Sequence, residues 1–296
     1  MGIIRSNAAF YLDARARGVD FSRTLTLGRQ RLYLSPADLA ALAARYRPDL
    51  RGHLDDLRYG EPADEFLKRF LGVRDLQALD HSAYEGAAIT HDLNAPLPAH
   101  LHEQFDAVID SGTLEHVFNL PAAIASCMQL VKRGGTLFLS SPANNMCGHG
   151  FYQVSPELFF RLFKDANGFS LGRLVLVTHP FPGAELSAHQ TWYEAIDPAE
   201  IGARAPLMTR TPAFLMLEAQ RIDIVPVLAT PPLQSDYVTR WSAAGAPGRS
   251  AAGGLGRAIF RRLPPRLKTL ATGWYQRSFL CTLRNRRAFR RITGWL

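Results

Sequence analysis

The clearest pattern lies in the middle of the chain. Residues 105–109 form an apolar run that ends in Asp110-Ser111-Gly112. A helix-compatible stretch follows at 121–131, then the turn Lys132-Arg133-Gly134-Gly135, then a second apolar run at 136–140 that ends in Ser141-Pro142. Short apolar runs bounded by turn residues predict buried strands. Strand, helix and strand within about 40 residues make one right-handed crossover of a parallel sheet. Such sheets bind ligands outside the carboxyl ends of their strands. Asp110, Ser111, Glu115, His116, Asn144, Asn145 and His149 all fall at or just after those ends.

The flanks repeat the theme. Residues 7–17 are helix-compatible and should pack ahead of the sheet, and 24–28 predict a short strand closing at Gly28. Ser35-Pro36 opens a helix through about Tyr46, with serine as N-cap, proline at the first helical position and Asp38 in the first turn. A polar loop at 47–60 leads to a further helix at 62–70. Strands follow at 76–79, ending in Asp80, and at 87–90, ending in His91-Asp92, before Pro96 and Pro98 halt regular structure. Beyond the crossover, Ser155-Pro156 caps a helix reaching 164. Residues 171–178 and 213–224 predict two long strands, the second on the edge of the first, and 180–211 between them reads as an insertion carrying Trp192 and Tyr193.

Composition narrows the class. The chain has 296 residues, 47% hydrophobic and 20% charged, which is ordinary for a globular protein with ample core. Cys127, Cys147 and Cys281 are far apart and form no CxxC pair, so a reducing, cytoplasmic setting is expected. No apolar run nears the ~20 residues of a membrane span, and the N-terminus lacks a signal-peptide core. Met1-Gly2-Ile3-Ile4-Arg5-Ser6 does match a myristoylation pattern. The nine histidines are scattered along the chain, and no metal is expected.

The net charge of +8 is unevenly placed. Asp236 is the last acidic residue, and thirteen arginines and lysines follow it, leaving the first 236 residues with a net of −5. The basicity belongs to a tail. The expected organisation is an N-terminal helix (1–20), a folded domain (21–236), a flexible linker rich in glycine, alanine and serine (237–256) and a basic amphipathic tail (257–296). In that tail Leu267, Leu270 and Trp274 recur at helical spacing, as do Tyr275, Phe279 and Leu283, while Arg266, Arg277, Arg284, Arg287 and Arg291 fall largely on the opposite arc. Such a helix can lie on an anionic membrane, or pack on the domain with its arginines in water. No nucleic-acid reader motif accompanies the charge, so nucleic acid is not the expected partner.

The central segment resembles the class I S-adenosylmethionine-dependent methyltransferases. In that family a strand ends in a pattern like FDxVxxxxxLEHV, and a later turn reads LKPGG. The matching residues are Phe105-Asp106-Ala107-Val108, Leu114-Glu115-His116-Val117 and Leu130-Val131-Lys132-Arg133-Gly134-Gly135. The resemblance covers roughly 20–225 and is stronger after Ala87. It implies an α/β fold: a Rossmann-like, doubly wound, mostly parallel seven-stranded sheet with helices on both faces and its last strand pair antiparallel.

The resemblance also implies a cofactor site for S-adenosylmethionine. Asp80 is the expected partner of the ribose hydroxyls, and Asp92, with Leu93 beside it, of the adenine. Asp110, Ser111 and Gly112 at the next strand end are further cofactor candidates. At the first strand the family shows GxGxG, where this chain has Leu27-Gly28-Arg29-Gln30. Gly28 also lies 52 residues before Asp80, where about 20 is usual for such a unit. Either Gln30 or Arg29 beside Gly28 holds the cofactor's carboxylate, or cofactor is no longer bound.

An oxygen acceptor must lose a proton, and histidine suits that near neutral pH. His149, between Gly148 and Gly150, is the expected catalytic base, with a loop histidine bonded to backbone as the structural alternative. His116, Tyr152 and Gln153 are the expected substrate neighbours. The expected function is methylation, at oxygen, of a small or lipid-linked acceptor, with peripheral contact of 257–296 at the inner face of the membrane. Similar proteins are found among bacterial surface-polysaccharide and natural-product tailoring enzymes. The competing expectation is an inactive, membrane-associated binding module on the same fold.

Overall fold

The computed structural model describes residues 2–180, 189–243 and 263–294. Most of the expected linker, the start of the tail and residues 181–188 of the insertion lie outside the described residues.

Nine strands form the main sheet among the described residues. In chain order they are β2 (Arg23–Leu27), β4 (Asp75–Asp80), β5 (Ile89–Thr90), β6 (Phe105–Ser111), β7 (Val131–Asn144), β8 (Phe169–Thr178), β9 (Thr191–Ala195), β10 (Ala213–Arg221) and β11 (Phe289–Ile292). Their spatial order is β11-β9-β8-β10-β7-β6-β2-β4-β5. From β7 to β5 every pair is parallel, and from β10 to β11 every pair is antiparallel. A separate two-stranded sheet pairs β1 (Gly2–Ile3) in parallel with β3 (Arg31–Leu32).

The helices are α1 (Arg5–Ala16), α2 (Pro36–Tyr46), α3 (Asp64–Phe66, continued by a π-turn at Leu67–Leu71), α4 (Leu120–Leu130), α5 (Pro156–Leu162), α6 (Pro198–Ile201), α7 (Ser235–Ala243) and α8 (Pro265–Tyr275). They cover both faces of the sheet, the arrangement of a Rossmann-like doubly wound fold. Alternate residues of each strand enter opposite cores. Val108, Leu137, Leu139, Leu174, Leu176, Leu215 and Leu217 pack in one cluster with Ile124, Cys127, Phe159 and Leu162 of α4 and α5. Ala107, Ile109, Phe138, Val175, Val177 and Met216 pack in the other with Phe10, Tyr11, Leu39, Leu42, Phe66 and Phe70 of α1 to α3. Phe138 is the hub of this second core, stacked on Phe21 at 5.3 Å between ring centroids and edge-on to Tyr11 at 5.2 Å.

Two terminal devices hold helices in place. Ser35 and Asp38 form a reciprocal capping box at the start of α2, as the sequence predicts. At the end of α4 the orphan carbonyls of Met128, Gln129 and Val131 accept from the Arg221 guanidinium at 3.1, 3.2 and 2.7 Å. Arg221 is buried, and that desolvation lowers its pKa while Glu103 raises it. The last residue of β10 thereby fastens the crossover helix to the antiparallel half of the sheet.

The structure differs from the sequence expectation in three places. The sheet has nine strands, not seven. β10 lies between β7 and β8 and not on the edge of β8, because both its neighbours offer a full ladder to its buried residues. Part of the insertion becomes β9 on the edge of β8, and part of the tail becomes β11 on the edge of β9. The short run Phe289-Arg290-Arg291-Ile292 has too few apolar residues to announce a strand by itself.

Phe289 is 1% exposed, whereas Leu270 in α8 is 68% exposed. Phe289→Ala is therefore expected to cost about 3–5 kcal/mol in chemical denaturation, and Leu270→Ala less than about 0.5 kcal/mol. Equal, small effects would mean that residues 289–292 are not part of the folded sheet.

Candidate functional site

Strands β2, β4 and β6 are adjacent and in register, with Leu27 opposite Leu79 and Thr26 opposite Ile109. Their carboxyl ends therefore bring Gly28, Asp80 and Asp110 to one rim. Gly28 turns the chain with φ +66° and donates its amide to the Leu79 carbonyl at 2.7 Å. A cleft of about 200 Å³ opens there, lined by Gly28, Asp80, His91, Asp92, Leu93, Thr113 and His116 among others. The two acids inferred from the sequence, with Gly28 and Leu93, do share one cavity.

The Asp92 carboxylate accepts from the Asn94 backbone at 2.9 Å and from its side-chain amide at 2.8 Å. Those bonds hold its pKa below the ordinary carboxylate value. Asp80 accepts from the His81 amide at 2.6 Å. Gln30 turns the other way: its side-chain amide donates to the Leu27 carbonyl at 2.7 Å and bridges the turn. Arg29 is paired with Asp64 at 2.9 Å and donates to the Glu85 carbonyl. Both line a different groove, with Pro62, Tyr84 and Gly86, away from the acid cleft.

A second cavity, about 370 Å³, lies beside the first. Ser111, Gly112, Glu115, His116, Ser140 and His149 form its floor, and Phe214 and Met216 of β10 one wall. Gly2, Ile4, Ser6, Asn7, Tyr33 and Tyr59 close the other side. His116 lines both cavities. Ser111 and Gly112, expected near the cofactor, thus face this second space. Ser111 is also bonded to the Tyr11 hydroxyl at 2.9 Å. Asp110 lines neither cavity. It is fully buried and accepts from the Thr113 amide at 2.8 Å, shaping the turn after β6. Tyr152 donates to the Phe118 carbonyl at 2.6 Å, and Gln153 accepts from the Met146 amide at 2.9 Å. These two brace the loop after β7 and do not line the cavity.

Glu115, which the sequence places at a strand end without a role, stands at the centre of this cavity. It is 0% exposed, and His149 Nε2 lies 3.4 Å from its Oε1. The imidazoles of His116 and His149 are 5.5 Å apart between centroids. Although His149 is distant from the other two in sequence, a carboxylate oxygen of Glu115 and one ring nitrogen from each histidine all lie within 4.8 Å of one another. The lining contributed by Gly2, Ile4, Ser6 and Asn7 was equally hidden, since no local motif marks residues 2–7 as part of a site.

Burial, and after it the Glu115 charge, push the Asp110 carboxyl up to about 7 from an ordinary 3.8. Its neutral form is the one the fold prefers. In the unfolded chain Asp110 ionises from about pH 4, while in the folded chain it stays protonated until about pH 7. Stability is therefore lost as pH rises across that window. In chelator-containing buffer, Asp110→Asn is expected to melt at the same temperature as the parent near pH 4 and higher at pH 8. Parallel melting curves across pH for the two proteins would refute this assignment.

Residues 74–139 match the family model described as a methyltransferase domain. That segment, less than a quarter of the chain, contains Asp80, Asp92, Asp110, Glu115 and His116. No curated protein matches the chain. Among solved structures, the chain is similar to a Burkholderia thailandensis 1,6-didemethyltoxoflavin-N1-methyltransferase with bound 1,6-didemethyltoxoflavin and S-adenosylhomocysteine. The identity is 15%, covering 74% of this chain and 78% of that one, with a TM-score of 0.39. The YcgJ protein of Bacillus is 12% identical over 73% of this chain and 99% of its own, with a TM-score of 0.37. A branched-chain polyamine synthase of Thermus thermophilus is 15% identical over 80% of this chain and 62% of its own, with a TM-score of 0.35.

Proposed function

We propose that the protein is an S-adenosylmethionine-dependent methyltransferase that methylates an oxygen of a small or lipid-linked acceptor. The observation that carries this reading is the pair of cavities that share His116. One presents two carboxylates to a nucleoside. The other offers space for an acceptor.

The residues fit the nucleoside part of the cofactor. Asp80 and Asp92 offer acceptor oxygens to a ribose diol and an adenine amino group, and Gly28 lets the backbone come close. When bound, S-adenosylmethionine supplies an electrophilic methyl group. The protein's task is to orient the acceptor and exclude water from it. Ile4, Tyr33, Tyr59, Phe214 and Met216 make the second cavity largely apolar, while Ser111, Ser140 and Asn7 give an acceptor polar anchors. His149, which meets Glu115 on the floor of that cavity, is the residue we assign to activating the acceptor oxygen.

One observation favours a second reading, an inactive binding module. The turn after β2 has a single glycine, and both neighbours of Gly28 that could hold the cofactor's carboxylate are engaged elsewhere. Calorimetric titration of the full chain with S-adenosylhomocysteine separates the two. Micromolar binding is expected, weakened about 10–100-fold by Asp80→Ala, the equivalent of ~1.5–3 kcal/mol for a hydrogen bond to a charged group. Absence of binding at millimolar ligand would leave the module.

For peripheral membrane contact, the support is a cationic segment that exposes its apolar side chains. Leu267, Leu270, Trp274, Tyr275 and Phe279 are all exposed, and each cation near an anionic surface contributes about 1 kcal/mol. Among the described residues no helix is long and apolar enough to cross a membrane. The full chain is expected to float with phosphatidylserine vesicles and not with phosphatidylcholine vesicles, and Leu270→Glu with Trp274→Glu should abolish flotation. Equal recovery of parent and double variant would remove the membrane from the proposal.

A further inference from the structure

Glu115 poses a problem that the methyltransferase reading does not resolve. A carboxylate taken out of water needs donors or a cation at its oxygens. Glu115 is 0% exposed, and neither of its side-chain oxygens has a hydrogen-bond partner among the described residues. The nearest basic group, His149 Nε2 at 3.4 Å, lies beyond good hydrogen-bonding distance. Glu115 lines the second cavity, whose other polar lining includes two imidazoles.

We propose that Glu115, His116 and His149 bind a divalent first-row transition-metal cation. The three ligand atoms already lie within 4.8 Å of one another, and all three side chains line the second cavity. Glu115 and His116 share the single 3₁₀ turn Leu114–His116 after β6. His149 is brought over them by a loop fastened to that same turn: the amides of Phe151 and Tyr152 donate to the Glu115 carbonyl at 2.8 and 3.3 Å. Two imidazoles and one carboxylate suit zinc, manganese, iron or cobalt better than calcium or magnesium. Three protein ligands facing an open cavity are the pattern of a catalytic site, with positions left for water or substrate.

The role of the cation rests on the function proposed above; the binding does not. As a ligand, His149 is not a free base. A hydroxyl oxygen of the acceptor coordinated to the cation loses its proton to bulk water more readily and is held as an oxyanion in the second cavity. His149 then activates the acceptor through the metal.

The test is direct titration of the chelator-treated full-length protein with Co²⁺, followed by visible d–d absorption and by calorimetry. One equivalent is expected to bind. His149→Ala and His116→Ala should weaken binding by more than about tenfold, as should Glu115→Gln. His149 is partly exposed, so its alanine variant keeps the test informative should the buried Glu115→Gln fail to fold. No binding by the parent, or unchanged affinity in His149→Ala and His116→Ala, would overturn the proposal. Binding of Co²⁺ without binding of S-adenosylhomocysteine would sustain the metal site and defeat the methyltransferase function.

Discussion

The candidate site depends on one backbone group, the carbonyl of Glu115. It accepts from two successive amides of the loop after β7, and that loop passes so close that a Cβ on Gly150 would stand 2.8 Å from the carbonyl oxygen. Only glycine fits there. This contact locks the ends of two neighbouring strands, β6 and β7, at a fixed separation. Residues far apart in sequence then meet with little freedom, and His149 can address the buried carboxylate beneath it. The same turn carries His116, which lines both cavities.

Beneath that rim the sheet sorts its side chains by parity into two cores. The division has a functional side. Helices α1 to α3 pack on one face, and α1 follows directly from the strand β1 whose Gly2 lines the second cavity. On the other face, Arg221 joins the last strand of the parallel–antiparallel boundary to the crossover helix α4. The rim is thus held from both faces, through aromatic packing around Phe138 on one and through a buried guanidinium on the other.

Much of this was legible in the chain. The crossover from residue 105 to 140, the Ser35 cap and the acids closing two strands are local signals, each set by a few consecutive residues. Asp80 and Asp92 could be read because strand ends converge in any parallel sheet. What was missed depends on distant pairing. β9 and β11 pair with each other across about a hundred residues, and Arg290 and Arg291 read as solvated charge although Phe289 is core. β1 pairs with β3 over two residues only. The Glu115 and His149 pairing follows from a loop bond that no spacing rule encodes. Gln30 and Arg29 follow Gly28, yet local partners, the Leu27 carbonyl and Asp64, engage their side chains.

The order of the sheet has a geometric corollary for any acceptor delivered from a surface. β11, which carries Arg290 and Arg291, is the outermost strand on one side, and β7 lies four strand positions inward. At the usual interval between strands this is a lateral distance of roughly 19 Å. An acceptor held at that edge would reach the rim of β6 and β7 only by spanning the antiparallel half of the sheet.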